Sequence, residues 1–332
     1  MNGKRWMALG IAALIFVASV FINLASSALS TDFSKMFDGI FTEFEEEVVE
    51  EGLPNKKIAV LELNGVIQDK EDASSIFTSE GYNHRLFMKQ LNEAKDNAEV
   101  KALILRVNTP GGGVVESAEI HDKIVQIQEE AKKPVYVSMA GMAASGGYYI
   151  SAPADKIFAH PDTMTGSLGV IMQGLNYSEL AEKLGIDFMT IKSGKHKDIM
   201  SPTREMTKEE KEIMHSMLNN AYNGFVKVIA DGRNMSKEKV KEIADGRIYD
   251  GRQAKELNLV DDFGYLEDVI THVREDQQLK DASVVKYGSN LGFGSLFGAT
   301  AMKIAGKEGS MSYLMNELSQ PNAPRLMYLY SK

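Results

Sequence analysis

The stretch Lys101–Gly113, KALILRVNTPGGG, decides the fold, because a buried strand runs directly into a glycine loop. Its near-continuous apolar run is typical of a strand that is covered on both faces, as in parallel sheets. A helical spacing of apolar residues follows over about 115–131, and the next strand, Pro134–Met139, leads into Gly141–Gly147 and a further helix. Together with an earlier strand over Lys57–Ile67, this alternation predicts an α/β domain with a mostly parallel sheet.

The pattern continues on both sides without a linker between two comparable halves. The further predicted elements are a helix over about 84–97, short strands over 156–159 and 187–192, a helix from Thr207 to about Asp231 that starts with the capping box TKEE, a helix capped by Ser236, and a strand–helix unit over 247–273. We therefore predict one domain over 57–290. The remainder, 291–332, is rich in Gly, Ser and Met and predicts a flexible tail.

The N-terminus carries an uncharged stretch, Trp6–Thr31, directly after two basic residues. As a helix it is long enough to cross the roughly 30 Å hydrocarbon core of a bilayer. The basic residues before it and the acidic run Phe44–Glu51 after it predict a cytoplasmic N-terminus and an external main domain. A cleavable signal peptide is the alternative, because ASSA at 25–28 resembles a cleavage site. We predict a retained anchor over 1–31 and an acidic stalk over 32–56.

Net charge and cysteine content exclude two classes of function. The formal net charge is -9 without a basic stripe, so the phosphate backbone of a nucleic acid would be repelled. The chain has no cysteine, which excludes disulfides, thiolate nucleophiles and Cys-ligated zinc.

Ser145 is the strongest candidate nucleophile. It follows a buried strand, opens a helix and is flanked by small residues in AASGG. A sharp strand-to-helix turn exposes a hydroxyl, and the amides at the helix start can stabilise an oxyanion. The pattern is nearly the nucleophile elbow G-x-S-x-G, with Ala143 in place of the first glycine. Taken alone, it is equally compatible with small residues that pack a helix closely against a sheet.

The glycine loop Gly111–Gly113 also lies at the C-terminal end of a parallel strand, where α/β sheets place their sites. One N–H of this loop and the N–H of Gly146 would form a two-donor oxyanion hole. A phosphate-binding loop is the competing interpretation. It is disfavoured because G-K-[ST] does not follow the glycines and the G-x-G-x-x-G spacing is missing.

A serine hydroxyl needs a base, and the residues by themselves leave the choice open. The histidines are His84, His121, His160, His196, His215 and His272. Only His160 and His196 fall near loops that could face Ser145. A buried lysine is the alternative, because desolvation lowers the pKa of its amine. The segment KSGKHKD at 192–198 offers three lysines, but such a cluster is by default a solvated basic patch.

Four motifs together resemble a known family. They are NTPGGGVVES (Asn108–Ser117), MAASGGYYIS (Met142–Ser151), TGSLGVI (Thr165–Ile171) and KSGKHKD (Lys192–Asp198), in the order and approximate spacing of bacterial signal peptide peptidases of the SppA type. The resemblance covers about 57–273, and the single anchor is similar to the short, single-domain form of Gram-positive bacteria and archaea. It implies the fold of the Clp protease and crotonase superfamily, with repeated ββα units and a mostly parallel sheet, here preceded by one N-terminal transmembrane helix.

The same resemblance implies a set of site residues. Carried over position by position, they are Ser145 as nucleophile, Lys197 as general base, Ser167 as the residue that orients Lys197, and the amides of Gly112 or Gly113 and of Gly146 as oxyanion hole. Lys192 and Lys195 are then bystanders. His196 stands where the family more usually has an aromatic residue. No metal or organic cofactor is implied.

The function implied is that of a serine endopeptidase. It would degrade remnant signal peptides or other unstructured apolar peptides at the outer face of the cell membrane. In the short members, neighbouring subunits of a homo-oligomeric ring complete the Ser–Lys dyad, which would leave a single chain inactive. We further hypothesise that the apolar segment Asn322–Tyr330 occupies a groove of its own ring and is trimmed there.

Three alternatives come from other classes. A crotonase-like acyl-thioester enzyme would share the oxyanion glycines, although coenzyme A is scarce outside the cell. A Clp-type Ser–His–Asp peptidase requires a histidine one helix beyond Ser145, and the stretch near Val170 has none. A non-catalytic membrane scaffold would use the glycine loops for packing alone.

Overall fold

The computed structural model describes residues 15–16, 44–69, 82–289 and 326–330. The predicted anchor over 1–31 lies outside the described residues apart from Ile15 and Phe16, as do the first half of the predicted stalk and most of the predicted tail. Within the described ranges, no helix combines the length and the apolar character that crossing a bilayer requires.

The strands and helices of the described residues alternate along the chain. The strands are β1 (Phe44–Glu50), β2 (Leu53–Asn64), β3 (Val100–Thr109), β4 (Gly111–Gly113), β5 (Val135–Ala144), β6 (Lys156–Ala159), β7 (Met164–Gly166), β8 (Ile248–Tyr249), β9 (Asp262–Phe263), β10 (Ala282–Ser289) and β11 (Met327–Leu329). The helices are α1 (His84–Asp96), α2 (Val114–Glu129), α3 (Gly146–Ser151), α4 (Ser178–Lys183), α5 (Lys208–Gly232), α6 (Lys237–Ile243), α7 (Gly251–Glu256) and α8 (Leu266–Asp276).

Most strands form one sheet in the order β1-β10-β2-β3-β5-β6-β9. All neighbours along this path are parallel except the edge pair of β1 and β10. Beyond the point where β6 pairs with β5, the C-terminal end of β5 pairs with β7, and β8 continues this branch antiparallel to β7. The predicted α/β domain with a mostly parallel sheet is confirmed.

The core lies on both faces of this sheet. Ala59 and Leu61 of β2 pack in the larger cluster with α1, α2 and α5, whereas Ile58 and Val60 pack in a second cluster with α8. Because successive side chains of a strand point to opposite faces, burial of both faces requires an unbroken apolar run. This is the physical reason why the strands were recognisable in the sequence.

Local signals placed most helices correctly. The Thr207 side chain accepts a hydrogen bond from the Glu210 N–H while the Glu210 carboxylate accepts one from the Thr207 N–H, which forms the predicted capping box. The strand predicted over 187–192 is wrong, because this stretch is irregular. Met189 and Ile191 are 93% and 94% exposed, so their apolar spacing did not indicate burial within this chain.

The stalk predicted over 32–56 is wrong for its second half. Residues 44–50 form β1, and β2 begins at Leu53, four residues before the predicted start of the domain. The acidic charges are accommodated at the sheet edge, where Glu46 pairs with Lys57 at 2.8 Å and Glu50 pairs with Arg274 at 2.6 Å. Charged side chains on an edge strand also discourage pairing with a further strand.

The prediction of a flexible tail over 291–332 is wrong for residues 327–329. Met327–Leu329 form β11, which pairs antiparallel with β4. The composition of this stretch does not predict β11, because the strand is held in place by the burial of the Tyr328 side chain in a groove that other parts of the chain form.

Candidate active site

Ser145 occupies a strained turn between β5 and α3. Its φ of 54° and ψ of -112° lie outside the ordinary regions for a non-glycine residue, a conformation that costs about 1–3 kcal/mol and is common at functional sites. Close packing of α3 requires the glycines that follow Ser145. A Cβ on Gly147 would lie 2.7 Å from Thr109 Cγ2, and one on Gly146 would lie 2.8 Å from Ser117 Oγ. The structure therefore shows the close packing of α3 against its neighbours and the sharp turn at Ser145, and the two are compatible with each other.

The three amides of the glycine loop differ in their hydrogen-bond partners. The Gly111 N–H donates to Thr109 Oγ1 at 3.0 Å, and the Gly113 N–H donates to the Ile67 carbonyl at 2.8 Å. The Gly112 amide lies between these two committed donors. Of the two glycines that the sequence left as alternatives, Gly113 thus has its amide bonded to the chain itself.

The strand β11 lies in the groove beside this loop. Tyr328 is paired with Gly112, and on either side Val114 N–H donates to the Leu326 carbonyl at 3.5 Å and Tyr330 N–H to the Pro110 carbonyl at 2.9 Å. Hydrogen-bonded pairs alternate in an antiparallel ladder, so the Gly112 N–H faces the Tyr328 carbonyl.

The opposite edge of β11 is also paired. Met327 exchanges two backbone hydrogen bonds with Ile171, at 3.0 and 3.1 Å. The tail is thus held as a strand between the glycine loop and the segment after β7, which is the geometry of a peptide bound by β-augmentation.

The Tyr328 side chain fills an aromatic pocket and is 2% exposed. Its ring stacks on Tyr149 with 4.8 Å between centroids and lies 4.6 Å from Phe225. Its hydroxyl donates to the Ala221 carbonyl at 3.1 Å. Burial raises the pKa of Tyr149 to about 12, so the pocket wall is a neutral phenol.

The Tyr328 carbonyl lies in the crevice between the two glycine segments. A Cβ on Gly111 would overlap this oxygen and would lie 2.6 Å from the Gly146 nitrogen. The Gly146 N–H belongs to the first residue of α3, where helix amides have no partner within the helix. A peptide carbonyl is therefore seated beside Ser145 and two backbone amides.

Ser167 is brought next to Ser145 by the branch strand. Ala144 of β5 and Gly166 of β7 are in register, and the Ser145 N–H donates to the Gly166 carbonyl at 2.8 Å. The two serines are the next residues on neighbouring parallel strands, which run about 4.8 Å apart. Ser167 also has a positive φ, 51°, and its N–H donates to the Arg247 carbonyl at 2.7 Å.

Lys197 is not joined to Ser145 within one chain. The Ser145 hydroxyl is buried and has no hydrogen-bond partner among the described residues. Lys197 is exposed on the segment between α4 and α5. Lys192 pairs with Asp198 at 2.6 Å and Lys195 pairs with Glu209, whereas the Lys197 amine forms no ion pair in the described part of the chain.

The histidines do not complete a dyad with Ser145 in the described residues either. His160 stacks on Tyr265, and His196 lies beside two carboxylates, with Glu209 Oε1 at 3.3 Å and Glu210 Oε1 at 3.6 Å. A Ser–His arrangement is therefore not formed by either of the two histidines that the sequence kept open.

Sequence reasoning missed the aromatic pocket and the ion-pair cluster around Arg204. Tyr149 follows Ser145 by four residues, one helical turn, and this spacing could have indicated that both lie on the same side of α3. Phe225 gave no such signal, because only the packing of α5 brings it to Tyr149. Arg204 lies in the irregular segment before α5, and its partners become apparent only in the structure.

Comparison with known proteins identifies the family. Residues 127–280 match Peptidase family S49. A protein of Enterococcus faecium named "Putative signal peptide peptidase SppA" is 43% identical over 99% of this chain and 99% of its own length. The chain belongs to peptidase family S49. It is a serine protease, which decides against the acyl-thioester enzyme and the scaffold.

Two further comparisons give the extent of the likeness. "Protease 4" of Salmonella typhi is 35% identical over 67% of this chain and 35% of its own length. A solved structure of a ClpP1 mutant from Listeria monocytogenes has a TM-score of 0.40 and 20% identity, and the match covers 63% of this chain and 92% of that chain.

Proposed function

We propose that this S49 peptidase is a membrane-anchored endopeptidase with a Ser–Lys dyad. In this proposal Ser145 is the nucleophile, Lys197 is the general base, and Ser167 orients the lysine amine. The amides of Gly112 and Gly146 hold the oxyanion, and the reaction uses no metal or organic cofactor.

The observation that carries the proposal is the position of β11 in the groove beside the glycine loop. A peptide strand lies beside Ser145 with its aromatic side chain in a pocket and its carbonyl facing the Gly112 amide. This is the position that an acyl-transfer reaction requires of a scissile carbonyl. The aromatic pocket also fits the apolar side chains of remnant signal peptides, which we propose as substrates together with other unstructured apolar peptides.

We propose that the lysine comes from a neighbouring subunit of a ring. The Lys197 amine is exposed, and the same segment presents a set of exposed apolar side chains: Leu175, Leu180, Leu184, Ile186, Phe188, Met189 and Ile191. Exposed apolar side chains concentrated in one segment favour association, and a head-to-tail interface can close into a ring. A cavity of about 260 Å³ beside Ser167 offers the incoming side chain a place.

The chemistry follows from these positions. Enclosed between subunits, the Lys197 side chain would act as a neutral amine. The amine takes the proton of Ser145 as the hydroxyl attacks the peptide carbonyl, and the resulting ammonium protonates the leaving amine. Water, activated by the same amine, hydrolyses the acyl-enzyme.

We further propose a single-pass anchor over 1–31 with a cytoplasmic N-terminus. The catalytic domain would then face the cell exterior, where signal peptides remain in the membrane after secretion. The uncharged stretch and its flanking charges support this topology.

The test uses the full-length chain in detergent with a fluorogenic apolar peptide. We compare the wild type, Ser145→Ala, Lys197→Ala and the two variants assembled together. Loss in both variants with partial recovery in the mixture is expected, because mixed rings contain sites with one intact serine and one intact lysine. Loss without recovery would place the dyad within one chain. Full activity of Lys197→Ala would refute the lysine base and return attention to the histidines.

A further inference from the structure

The segment that carries Lys197 is fastened by one guanidinium. Arg204 donates from Nε and Nη2 to the two carboxylate oxygens of Asp198 at 2.8 and 2.7 Å. It also donates from Nη1 and Nη2 to the two oxygens of Glu210 at 2.8 and 2.6 Å. Two-point contacts fix orientation as well as distance, so these bonds define the relative position of Asp198 and Glu210.

Glu210 ties this contact to a rigid element. It is the third residue of α5 and is 1% exposed. Its carboxylate also accepts the Thr207 N–H at 2.9 Å in the capping box. Arg204 holds the pKa of Asp198 well below its usual value and lowers that of Glu210 to about 2, so both carboxylates are charged at neutral pH. We call Arg204, Asp198 and Glu210 the arginine clamp.

The arginine clamp reaches the backbone directly after Lys197, because Arg204 Nη2 also donates to the Asp198 carbonyl at 3.1 Å. Before Lys197, the side chain of His196 lies near the same carboxylate, with Nδ1 3.6 Å from Glu210 Oε1, a distance too long for a hydrogen bond. The clamp therefore holds the residue that follows Lys197, while the Lys197 amine forms no ion pair in the described part of the chain. A side chain that must reach a reacting atom in another subunit needs this kind of support.

We propose that Arg204 is the positioning residue of the general base, and that the arginine clamp sets where Lys197 is presented to the Ser145 of a neighbouring subunit. The inference rests on the proposed function, in which Lys197 is the base. Arg204 itself touches neither the substrate nor Ser145 in this role. It acts through Asp198 and through the start of α5.

The first test compares Arg204→Gln with Arg252→Gln in the full-length protein. Arg252 also pairs with a carboxylate, Asp162 at 2.7 Å, and serves as the matched control. For Arg204→Gln we expect kcat to fall about 10²-fold with KM little changed, since a misplacement near 1 Å has an effect of that size. Ring size, measured by sedimentation, is the control for assembly.

The pH profile separates positioning from a structural role. The acid limb of kcat/KM reports the pKa of the essential base. In Arg204→Gln the Lys197 amine would be displaced toward solvent, and we expect the acid limb to move to higher pH. An unchanged limb, or an equal loss in Arg252→Gln, overturns the inference. Arg204→Lys, which keeps the charge but loses the fork, replaces the glutamine variant if that variant fails to assemble; the same shift is expected.

Mixed rings assign the effect to one subunit. Ser145→Ala chains contribute only the lysine, and Lys197→Ala chains contribute only the serine. Arg204→Gln placed in the Ser145→Ala chain should abolish the recovered activity, whereas in the Lys197→Ala chain it should not. Equal loss from both placements refutes the positioning role.

The outcomes also separate this inference from the proposed function. An active Lys197→Ala protein would sink the proposed dyad whatever the Arg204 variants do. An inactive Lys197→Ala protein beside an Arg204→Gln protein with normal rate and pH profile would sink the positioning role alone.

Discussion

At the scale of single residues, the candidate site depends on backbone conformations that non-glycine residues rarely adopt. Gly111 has a φ of 101° and faces both the Tyr328 carbonyl and the Gly146 nitrogen. Ser145 stores strain in the turn between β5 and α3. Such positions persist because the surrounding packing fixes them, which is how a site becomes pre-organised for the transition state.

Gly111→Ala should abolish peptide cleavage. Its methyl group would occupy the place of the peptide carbonyl, and loss of an oxyanion contact alone lowers kcat by about 10²–10³-fold. Gly185→Ala is the control, since Gly185 also has a positive φ, 68°, but a Cβ there meets no atom within 4 Å. Gly185→Ala should lose about 1–3 kcal/mol of stability, measured by denaturant unfolding, and Gly111→Ala should lose more, because its methyl group also meets the Gly146 nitrogen. Comparable activity losses in the two would show that strain, not the carbonyl seat, is responsible.

At the scale of elements, a strand from the end of the chain completes the groove that substrates would use. β11 pairs on both edges, with β4 and with Ile171, and buries Tyr328 against α3 and α5. The same contacts are available to any extended peptide with a large apolar side chain at that position. Under the proposed function, the tail would compete with substrates for this groove.

The active protein should cleave its own chain after Tyr328, because that carbonyl faces the Gly112 amide beside Ser145. Intact mass spectrometry of the assembled wild type should find the residues after 328 removed. Ser145→Ala should keep them. Tyr328→Asp, which would place a charge in the aromatic pocket, should slow trimming without affecting cleavage of an added peptide. An untrimmed tail in a fully active protein would contradict this reading of the groove.

The start of α5 should respond to acid. Hydrogen bonds from Arg204, and then from the Thr207 amide, lower the pKa of Glu210 from 4.5 to about 2. A carboxyl whose pKa falls on folding stabilises the fold fully above its unfolded pKa and loses this contribution as pH drops through the folded value. Protection factors for hydrogen exchange over 192–206, which correct for the intrinsic rate at each pH, should therefore stay constant until the pH falls below 4.5 and decrease toward pH 2. In Arg204→Gln the exchange should already be fast at neutral pH, and equal profiles would count against the clamp.

At the scale of the whole molecule, the sheet extends beyond the strands that the apolar runs of the sequence predict. β1 covers the β10 edge and is fixed by the Glu46–Lys57 and Glu50–Arg274 ion pairs. The exposed apolar side chains before α5, by contrast, are not covered by any of the described residues. β1 thus closes one edge of the sheet, whereas the segment before α5 offers a surface that is suited to association.

A fragment that starts at Lys57 should be markedly less stable than one that starts at Phe44. It lacks β1 and the first residues of β2, so it exposes the β10 edge and leaves Arg274 without Glu50. We expect a lower Tm and concentration-dependent aggregation, measured by thermal scanning and light scattering. Glu50→Gln in the longer fragment isolates the ion pair and should have a smaller effect, as expected for a partly exposed pair. Equal Tm values for the two fragments would show that β1 contributes nothing.

The α/β architecture can be read from the sequence, because a parallel sheet buried on both faces imposes unbroken apolar strands such as 101–108, and glycine loops mark where they end. Ser145 and the two glycine segments also stand out there, because their backbone demands are local. Three features came only with the fold: an acidic run forms an edge strand, Tyr328 is buried beside the glycine loop, and the Gly113 amide donates to the Ile67 carbonyl. Those outcomes depend on partners distant in the chain, such as Arg274, Phe225 and Ile67, and no local pattern encodes them.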